Sequence, residues 1–293
     1  GALARPFQTH HNALDIDVYL RIAPETYLKR LVVGGFTHVY EIARNFRNEG
    51  ISPVHLQDFT MIEGYSAYWN YQDNMRLMKD MILHILQTVF GTYEIQIGDN
   101  LIDFSQEWPT VTFRELILQD AGLDINEYPD GKSLLAAIKR KGIQLEHENL
   151  EALGKGNLID VLYKKVSRPK IVRPTFLTAH PIELSPLARR NDVDPSIADR
   201  FQLLVNGAEI INAYSELVDP IDQRQRLEEQ ARLRHQGDEE AMPLDNDYLR
   251  AMEHGMPPIS GWGMGIDRLL QVLLDLPNIR DGVLFPLMRP LGE

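Results

Sequence analysis

The first 65 residues alternate apolar and polar positions in a way that predicts β-strands. Residues 39–46 and 59–65 have the period of two that places successive side chains on opposite faces of a sheet, and a polar loop separates them. Over residues 74–90 the apolar positions recur every three or four residues, which is the spacing of a helix. The chain is therefore expected to begin as a sheet and to continue into a helix.

Helical patterns dominate from about residue 110 to about residue 170. Thr112 and Glu115 have the spacing of a capping box at the start of the first of three short helices. The first is predicted to end near Gly122, the second to cover residues 133–141, and the third to cover residues 158–166. We expect this stretch to be a helical insertion in a sheet protein.

Strand patterns return in the second half of the chain. Residues 174–179 read as a strand, and residues 201–216 read as a hairpin because Asn206 and Gly207 separate two apolar runs. Residues 222–237 form a charged helical pattern, and a last helix with one apolar stripe is predicted from Ile266 to Leu274. The predicted fold class is α+β.

Composition narrows the class of protein. The 293 residues carry a formal net charge of −12 and no cysteine. An acidic balance argues against a module that only binds nucleic acid, and the absence of cysteine excludes disulfides and thiolate metal sites. We find no apolar run of the roughly 20 residues that span a bilayer. A cytoplasmic protein without membrane contact is the expectation.

Charged and aromatic side chains meet on the first strand pair. Arg47 and Glu49 share one face if the first strand continues through them, and Glu63 and Tyr65 share a face with Phe59 on the returning strand. Two readings remain open. The set is either a surface ladder of salt bridges or a functional site, because buried carboxylates are costly unless they are paired or used.

The predicted hairpin contains a second candidate site. With an Asn-Gly turn, Leu204 lies opposite Glu209, and Gln202 shares the face of Glu209 one diagonal step away. Two such oxygen-bearing side chains could share a magnesium ion. Asn212, Tyr214 and Glu216 alternate out of phase with Glu209, so a bulge between residues 209 and 212 is required for all of them to face one site.

A glycine-rich segment forms the third candidate. Gly261, Gly263 and Gly265 alternate along a strand pattern, which lets other groups approach its backbone closely. The helix that follows offers free N–H groups to an anion, and Arg268 adds a planar cation suited to phosphate. The alternative is a glycine-rich strand packed flat against a helix.

Two of these segments resemble sequence motifs of a known protein family. Phe46, Arg47 and Glu49, with His55 and Phe59, resemble motif 2 of class II aminoacyl-tRNA synthetases. The glycine-rich segment with Asp267 and Arg268 resembles their motif 3. Similarity to lysyl-tRNA synthetases extends over almost the whole chain, and it is carried by residues 5–12, 21–25, 185–188, 212–217 and 284–290.

The resemblance implies a class II synthetase fold, an antiparallel sheet flanked by helices that works as a homodimer. It implies activation of L-lysine with ATP and Mg²⁺, followed by transfer to lysine-specific tRNA. Catalysis is assigned to Arg47 and Arg268. The ATP-binding residues would be Arg47, Glu49, His55, Phe59, Glu209 and Arg268, and the metal ligands Glu209 and Gln202. The lysine-binding residues would be Gly1, Glu25, Arg47, Glu63, Tyr65, Asn212, Tyr214 and Glu216.

This sequence departs from the family pattern at a few positions. Gln202 stands where the family usually has a second glutamate ligand, and Leu56 and Asp58 differ from the usual motif 2 loop. Residues 1–293 are interpreted as one catalytic domain, and motif 1 and the anticodon-binding domain of the family are expected to be absent from this chain. Two alternatives remain. One is a paralogue that transfers lysine to elongation factor P, and the other is a non-catalytic synthetase-like module.

Overall fold

The structure, a computed structural model, describes residues 4–147, 149–235 and 242–288. It divides the chain into two compact units. Unit 1 comprises residues 1–70 and 216–293, and unit 2 comprises residues 71–215. The described strands, in chain order, are β1 (Gln8–His11), β2 (Ile16–Tyr19), β3 (His38–Phe46), β4 (Asp58–Ala67), β5 (Glu94–Ile97), β6 (Asn100–Asp103), β7 (Thr110–Thr112), β8 (Thr175–Pro181), β9 (Ile197–Val205), β10 (Ala208–Ser215) and β11 (Ile259–Gly265).

The α-helices alternate with groups of strands. The described helices are α1 (Glu25–Val33), α2 (Tyr71–Ile85), α3 (Phe113–Ala121), α4 (Gly131–Arg140), α5 (Lys155–Val166), α6 (Pro220–His235), α7 (Asn246–Glu253) and α8 (Ile266–Leu273). Within the part of the chain that the structure describes, no helix has the length and apolar character needed to cross a membrane.

Unit 1 is built on three antiparallel strands in the order β3-β4-β11. The register between β3 and β4 runs without interruption from His38 opposite Ser66 to Phe46 opposite Asp58. Such a regular ladder keeps Phe59, Met61, Glu63 and Tyr65 on one face, as the alternation in the sequence predicts. Helix α1 packs against β3 and β4, and α8 packs against β4 and β11.

Unit 2 contains strands in the order β10-β9-β8-β7. The expectation of an antiparallel sheet is wrong for one pair, because β7 and β8 run parallel. Parallel neighbours require a long crossover connection, and the stretch that contains α3, α4 and α5 supplies it. Those helices pack into a buried apolar core with β8 and β9, which includes Phe113, Leu134, Leu158, Leu177 and Leu204.

The predicted helices and hairpin are present, with shifted ends. The capping box of Thr112 and Glu115 is formed at the start of α3. Helix α2 begins at Tyr71, three residues before the prediction, and a π-helical turn continues it over Leu86–Phe90. Helix α1 was not predicted, because the first 65 residues were interpreted as strands. Its core contacts come from Leu28 and Val32, four residues apart, which is a helical spacing.

Candidate active site

Three buried carboxylates of unit 1 form the centre of the candidate site. Glu25 is the first residue of α1, Glu63 lies in the middle of β4, and Glu216 follows β10. Their exposed fractions are 5%, 6% and 2%, so none of the three is a surface residue. The backbone N–H of Glu216 donates to the carbonyl of Ile259, which ties that residue to β11. The alternative of a surface ladder of salt bridges is therefore wrong for Glu63, the member of this cluster to which it applied.

A lysine that the sequence analysis missed lies inside this cluster. Lys29 has no exposed surface. Its ammonium is 2.6 Å from Glu25 Oε1 and forms an ion pair with Glu216 Oε2. The rings of Tyr65 and Tyr248 lie 5.7 Å and 6.0 Å from the same ammonium, within cation–π range. The signal that could have identified Lys29 is its spacing of four residues from Glu25 on one helix.

The environment shifts the acidity of these groups. Burial, with a further contribution from Glu25, raises the pKa of Glu63 to about 7, although the Tyr65 hydroxyl donates to Glu63 Oε2 at 3.2 Å and opposes the shift. Burial also raises the pKa of Glu216 well above its ordinary value, and the ammonium of Lys29 opposes that rise. The cluster has more carboxylates than cations. Its excess negative charge decreases when it takes up a proton or binds a further cation.

Replacing Glu63 by glutamine should stabilise the protein at alkaline pH. The pKa of Glu63 rises from 4.5 to about 7 on folding. The folded protein therefore binds more protons than the unfolded chain between these values, and stability falls as pH rises through about 7. Glu63→Gln removes this loss, which amounts to at most about 3 kcal/mol. Denaturant unfolding at pH 5 and pH 8 measures it, with Glu229→Gln on the surface of α6 as the control. Equal pH dependence of wild type and Glu63→Gln would contradict the expectation.

The glycines of β11 lie directly under this cluster. Gly261 is opposite Tyr65 and Gly263 is opposite Glu63 in the antiparallel register. A Cβ atom at Gly261 would overlap the Tyr65 ring and Glu216 Oε1, and one at Gly263 would lie 3.4 Å from Glu63 Cγ. The alternating glycines thus make room for the side chains of the cluster. The flat packing of a plain glycine strand is not what these positions show.

The loop between β3 and β4, which resembles motif 2, carries further residues of unit 1 that were predicted to bind ATP. Strand β3 ends at Phe46, so Arg47 and Glu49 lie in the loop and not on the strand. The Arg47 guanidinium lies over the ring of Phe59, 5.0 Å from its centroid. His55 shares a hydrogen bond of 2.7 Å with the hydroxyl of Ser52. The structure therefore brings Arg47 and Phe59 together directly.

Helix α8 and the segment after it brace this loop. Arg268 donates to the carbonyl of Val54 at 3.0 Å, and Gln271 donates to that of Pro53 at 3.2 Å. Arg280 donates to the carbonyl of Ser52 at 3.4 Å. Asp267 accepts the N–H of Thr60 at 2.6 Å, which fixes the start of α8 to β4. Arg268 thus contacts the loop that carries His55.

The hairpin residues lie in unit 2. The register shift between Glu209 and Ile211 is the bulge that the sequence analysis required. It places Asn212 opposite Gln202, so these two share a face, and Gln202 Nε2 donates to Glu209 Oε2 at 2.8 Å. Arg200, which the sequence analysis did not select, donates to Asn212 Oδ1 at 2.8 Å. Gln202 and Glu209 are therefore direct neighbours, as predicted.

Asp58 and Tyr214 are described by the structure, and Gly1 is not. Asp58 forms a 2.6 Å ion pair with Arg44, on the face of the β3–β4 ladder opposite to Phe59. Tyr214 is half-buried on β10. Gly1, a predicted lysine-binding residue, lies outside the described residues.

Comparison with known proteins identifies the class. The family of tRNA synthetases class II (D, K and N) matches residues 1–289, and the chain belongs to this family. The fold class is thereby confirmed as the α+β class II synthetase fold, with a mixed sheet. The chain is 48% identical over 290 residues to the lysine–tRNA ligase of Pelotomaculum thermopropionicum, and 48% identical over 292 residues to that of Thermosipho africanus.

Coverage differs between the chain and these relatives. The first match covers 99% of this chain and 57% of the relative, and the second covers 100% and 57%. A third relative, the lysine–tRNA ligase of Thermotoga maritima, is 48% identical over 290 residues, which are 99% of this chain and 56% of the relative. The chain thus spans somewhat more than half the length of the curated relatives that it matches.

Proposed function

We propose that the chain activates L-lysine with ATP to lysyl-adenylate and transfers the lysyl group to lysine-specific tRNA in the cytoplasm, as a lysine–tRNA ligase. The observation that carries this proposal is the buried cluster of Glu25, Glu63 and Glu216. Three buried carboxylates with one resident ammonium favour binding of a second ammonium, because unpaired buried charge is costly. The names of the relatives support lysine as the source of that ammonium.

Selectivity for lysine follows from the same cluster. The substrate ε-ammonium is proposed to bind Glu63 and Glu216 beside Tyr65, and Glu25 is proposed to bind the α-ammonium. A neutral side chain of similar size would not supply the cation that offsets the excess negative charge of these acids, and sites of this kind reject such analogues strongly. Asn212 and Tyr214 are proposed as further lysine-binding residues in unit 2.

ATP is proposed to bind at the braced loop of unit 1. Its adenine would stack on Phe59 near Glu49, Arg47 would hold the α-phosphate, and Arg268 with His55 would hold the outer phosphates. The guanidinium of Arg47 already lies on the Phe59 ring, so the cation and the stacking surface are adjacent. Planar guanidinium groups suit phosphate oxygens because they donate in pairs.

The chemistry requires no covalent enzyme intermediate. A carboxylate oxygen of lysine attacks the α-phosphorus, the bond to the bridging oxygen breaks, and pyrophosphate leaves with the bonding electrons. Charge spreads over the phosphate oxygens in the transition state, where Arg47 and Arg268 stabilise it. In the second step a terminal ribose hydroxyl of tRNA attacks the lysyl carbonyl and releases AMP.

A magnesium ion fits the donor set of unit 2 only in part. Glu209 provides one carboxylate and Gln202 one amide oxygen, and among the described residues no three or more acidic, histidine or cysteine side chains are placed to hold a metal ion together. Magnesium in nucleotide sites is commonly held by one or two carboxylates plus the substrate phosphates. We propose that Glu209 and Gln202 would hold a Mg²⁺ ion, which would supply positive charge that neutralises phosphate.

Replacing Gln202 by glutamate should strengthen this metal site. The new carboxylate would lie next to Glu209, where the amide now donates at 2.8 Å. Like charges at this separation repel, so Gln202→Glu should lower the melting temperature without metal and regain stability with Mg²⁺. The Mg²⁺ concentration for half-maximal activity should fall by about tenfold, a typical effect of an added charged ligand. Magnesium titrations of activity and melting temperature test this, and an unchanged metal requirement would contradict it.

A homodimer is proposed from the apolar surface of unit 1. Strand β3 is an edge of the three-stranded arrangement, and Tyr40 and Ile42 on its outer face are 71% and 60% exposed. Tyr27 and Leu31 on α1, with Phe36, add further exposed apolar area. An exposed edge strand with large apolar side chains is a surface that pairing with a second chain would cover.

Ile42→Lys should shift the assembly toward monomers. A charged side chain in the covered part of an interface costs several kcal/mol, so the dissociation constant should rise at least 100-fold. Sedimentation velocity measures it, and Val193→Lys, at an exposed position of unit 2, is the control. If the wild type is monomeric at micromolar concentration, the dimer proposal is wrong.

The function is tested by lysine-dependent exchange of pyrophosphate into ATP, with ornithine, arginine and no amino acid as controls. The proposal expects exchange with lysine alone, and then transfer of labelled lysine to tRNA. No exchange by folded protein would overturn the proposal and indicate a non-catalytic module. Exchange followed by transfer to elongation factor P, and not to tRNA, would indicate the paralogue.

A further inference from the structure

We propose that Lys29 is a positioning residue for lysine recognition, which holds Glu216 through Oε2 and leaves Oε1 for the substrate ammonium. This inference rests on the proposed function, because it assigns a partner to the carboxylate that the substrate is proposed to use. The resemblance and the comparisons do not assign a role to Lys29. The geometry of the cluster does.

The two oxygens of Glu216 have different surroundings. Oε2 forms the ion pair with Lys29. Both oxygens are buried, and neither has a partner of hydrogen-bond geometry among the described residues, so the ion pair with Lys29 is what distinguishes Oε2. Oε1 lies at Gly261, where a Cβ atom would overlap it. A buried carboxylate oxygen without a donor is costly, and a ligand that donates to it removes that cost. The open side of Glu216 is therefore the side over the glycine of β11.

Charge in the cluster also favours a second cation. The groups that face Glu216 are Glu25 and Lys29 from α1, Glu63 and Tyr65 from β4, and Tyr248 from α7. Three carboxylates face one ammonium, so the cluster has an excess of negative charge whenever the acids are ionised. Since Lys29 opposes the rise of the Glu216 pKa, it helps to keep this carboxylate ionised before the substrate arrives.

Lys29 is placed to stay where it is when substrate binds. Its side chain has no exposed surface, and its ammonium also pairs with Glu25 one helical turn away, at 2.6 Å. Moving out would break two buried ion pairs, which is more costly than sharing Glu216 between two ammonium groups. Lys29 thus prepares Glu216 for the substrate and does not compete with it.

The test is lysine-dependent pyrophosphate exchange at varied lysine concentration, at pH 7 and pH 9. Lys29→Met should raise the KM for lysine at least about tenfold at pH 7, with kcat and the KM for ATP within about threefold. At pH 9 the KM should return toward the wild-type value. Lys29 opposes the rise of the Glu216 pKa, so without it burial favours the protonated form of Glu216 more strongly, and a higher pH removes that proton again.

Two further variants separate positioning from packing. Lys29→Arg keeps a cation and should retain a KM for lysine within about fivefold of the wild type. Arg30→Met, the matched control, removes the next cation on α1, which pairs with Asp245 at 3.1 Å, and should leave the KM for lysine unchanged. A KM for lysine in Lys29→Met that equals or lies below the wild-type value at both pH values overturns the inference.

If Lys29→Met does not fold, a measurement on the wild type still tests the inference. Calorimetry of lysine binding in two buffers of different ionisation enthalpy counts the protons released. Release of less than one proton at pH 7, falling toward zero at pH 8.5, is expected, because the pKa of Glu63 is about 7 and the ion pair with Lys29 keeps Glu216 ionised. Release of a full proton at pH 8.5 overturns the inference. A wild type without lysine-dependent exchange overturns the proposed function itself, which distinguishes the two failures.

Discussion

Glu216→Gln is expected to abolish nearly all lysine-dependent pyrophosphate exchange. The substitution removes one of the two carboxylates that pair with the fully buried ammonium of Lys29, and it removes the proposed partner of the substrate ammonium. Breaking a buried charge pair costs about 3–5 kcal/mol. The corresponding loss in kcat/KM for lysine is roughly 10²- to 10⁴-fold.

The effect should be specific to the amino acid. The KM for ATP is expected to change by less than about threefold, because Glu216 is not among the proposed ATP contacts. Glu229→Gln makes the same chemical change on the exposed surface of α6, where Glu229 pairs with Arg232 at 2.6 Å, and should leave exchange unaffected. Lysine-dependent exchange by folded Glu216→Gln at a rate near that of the wild type would rule out the proposed role of this carboxylate.

Arg47→Lys is expected to lower the rate of adenylate formation about 100-fold while the KM for lysine changes little. The positive charge remains, but lysine has a point charge where arginine has a planar fork, and the guanidinium of Arg47 lies over the Phe59 ring, 5.0 Å from its centroid. The interaction proposed for Arg47 strengthens as charge develops on the α-phosphate, so its loss should appear mainly in kcat.

A neighbouring arginine provides the matched control. Arg44 lies three residues earlier on β3 and pairs with Asp58 at 2.6 Å, on the face opposite to Phe59. Arg44→Lys should therefore change kcat by less than about threefold, since an exposed ion pair contributes about 0–1 kcal/mol. Single-turnover measurement of adenylate formation separates the two variants. Equal losses in both would show that loop stability, and not contact with phosphate, explains the effect.

The local patterns in the sequence were sufficient to predict much of the secondary structure. Alternation along 59–65 predicted the shared face of Phe59, Glu63 and Tyr65, because a regular ladder preserves the period of two. The phase conflict between Glu209 and Asn212 predicted the bulge that the register contains. Helix α1 was not predicted, because the first 65 residues were assigned to strands and the helical spacing of Leu28 and Val32 was not used.

Part of the candidate site followed from the sequence because its residues belong to contiguous motifs. Gln202 and Glu209 lie across one hairpin, so strand geometry places them together. Arg47 and Phe59 belong to one short loop and the strand after it, and the guanidinium lies over the ring. The faces of Arg47 and Glu49 were argued from a strand that in fact ends at Phe46. The direction of β7 could not be predicted either, because a crossover of three helices separates it from its partner β8.

By itself, the sequence determined the family, the main strands and helices, and which acids and arginines are candidates for chemistry. Only the tertiary structure decided that Glu25, Glu63 and Glu216 are buried together and that Lys29 lies between two of them. A helix, a strand and the segment after β10 supply these residues, so their separation in the chain carries no signal of contact. Burial then changes the chemistry, because the pKa of a carboxylate depends on the water and charges around it and not on its position in the chain.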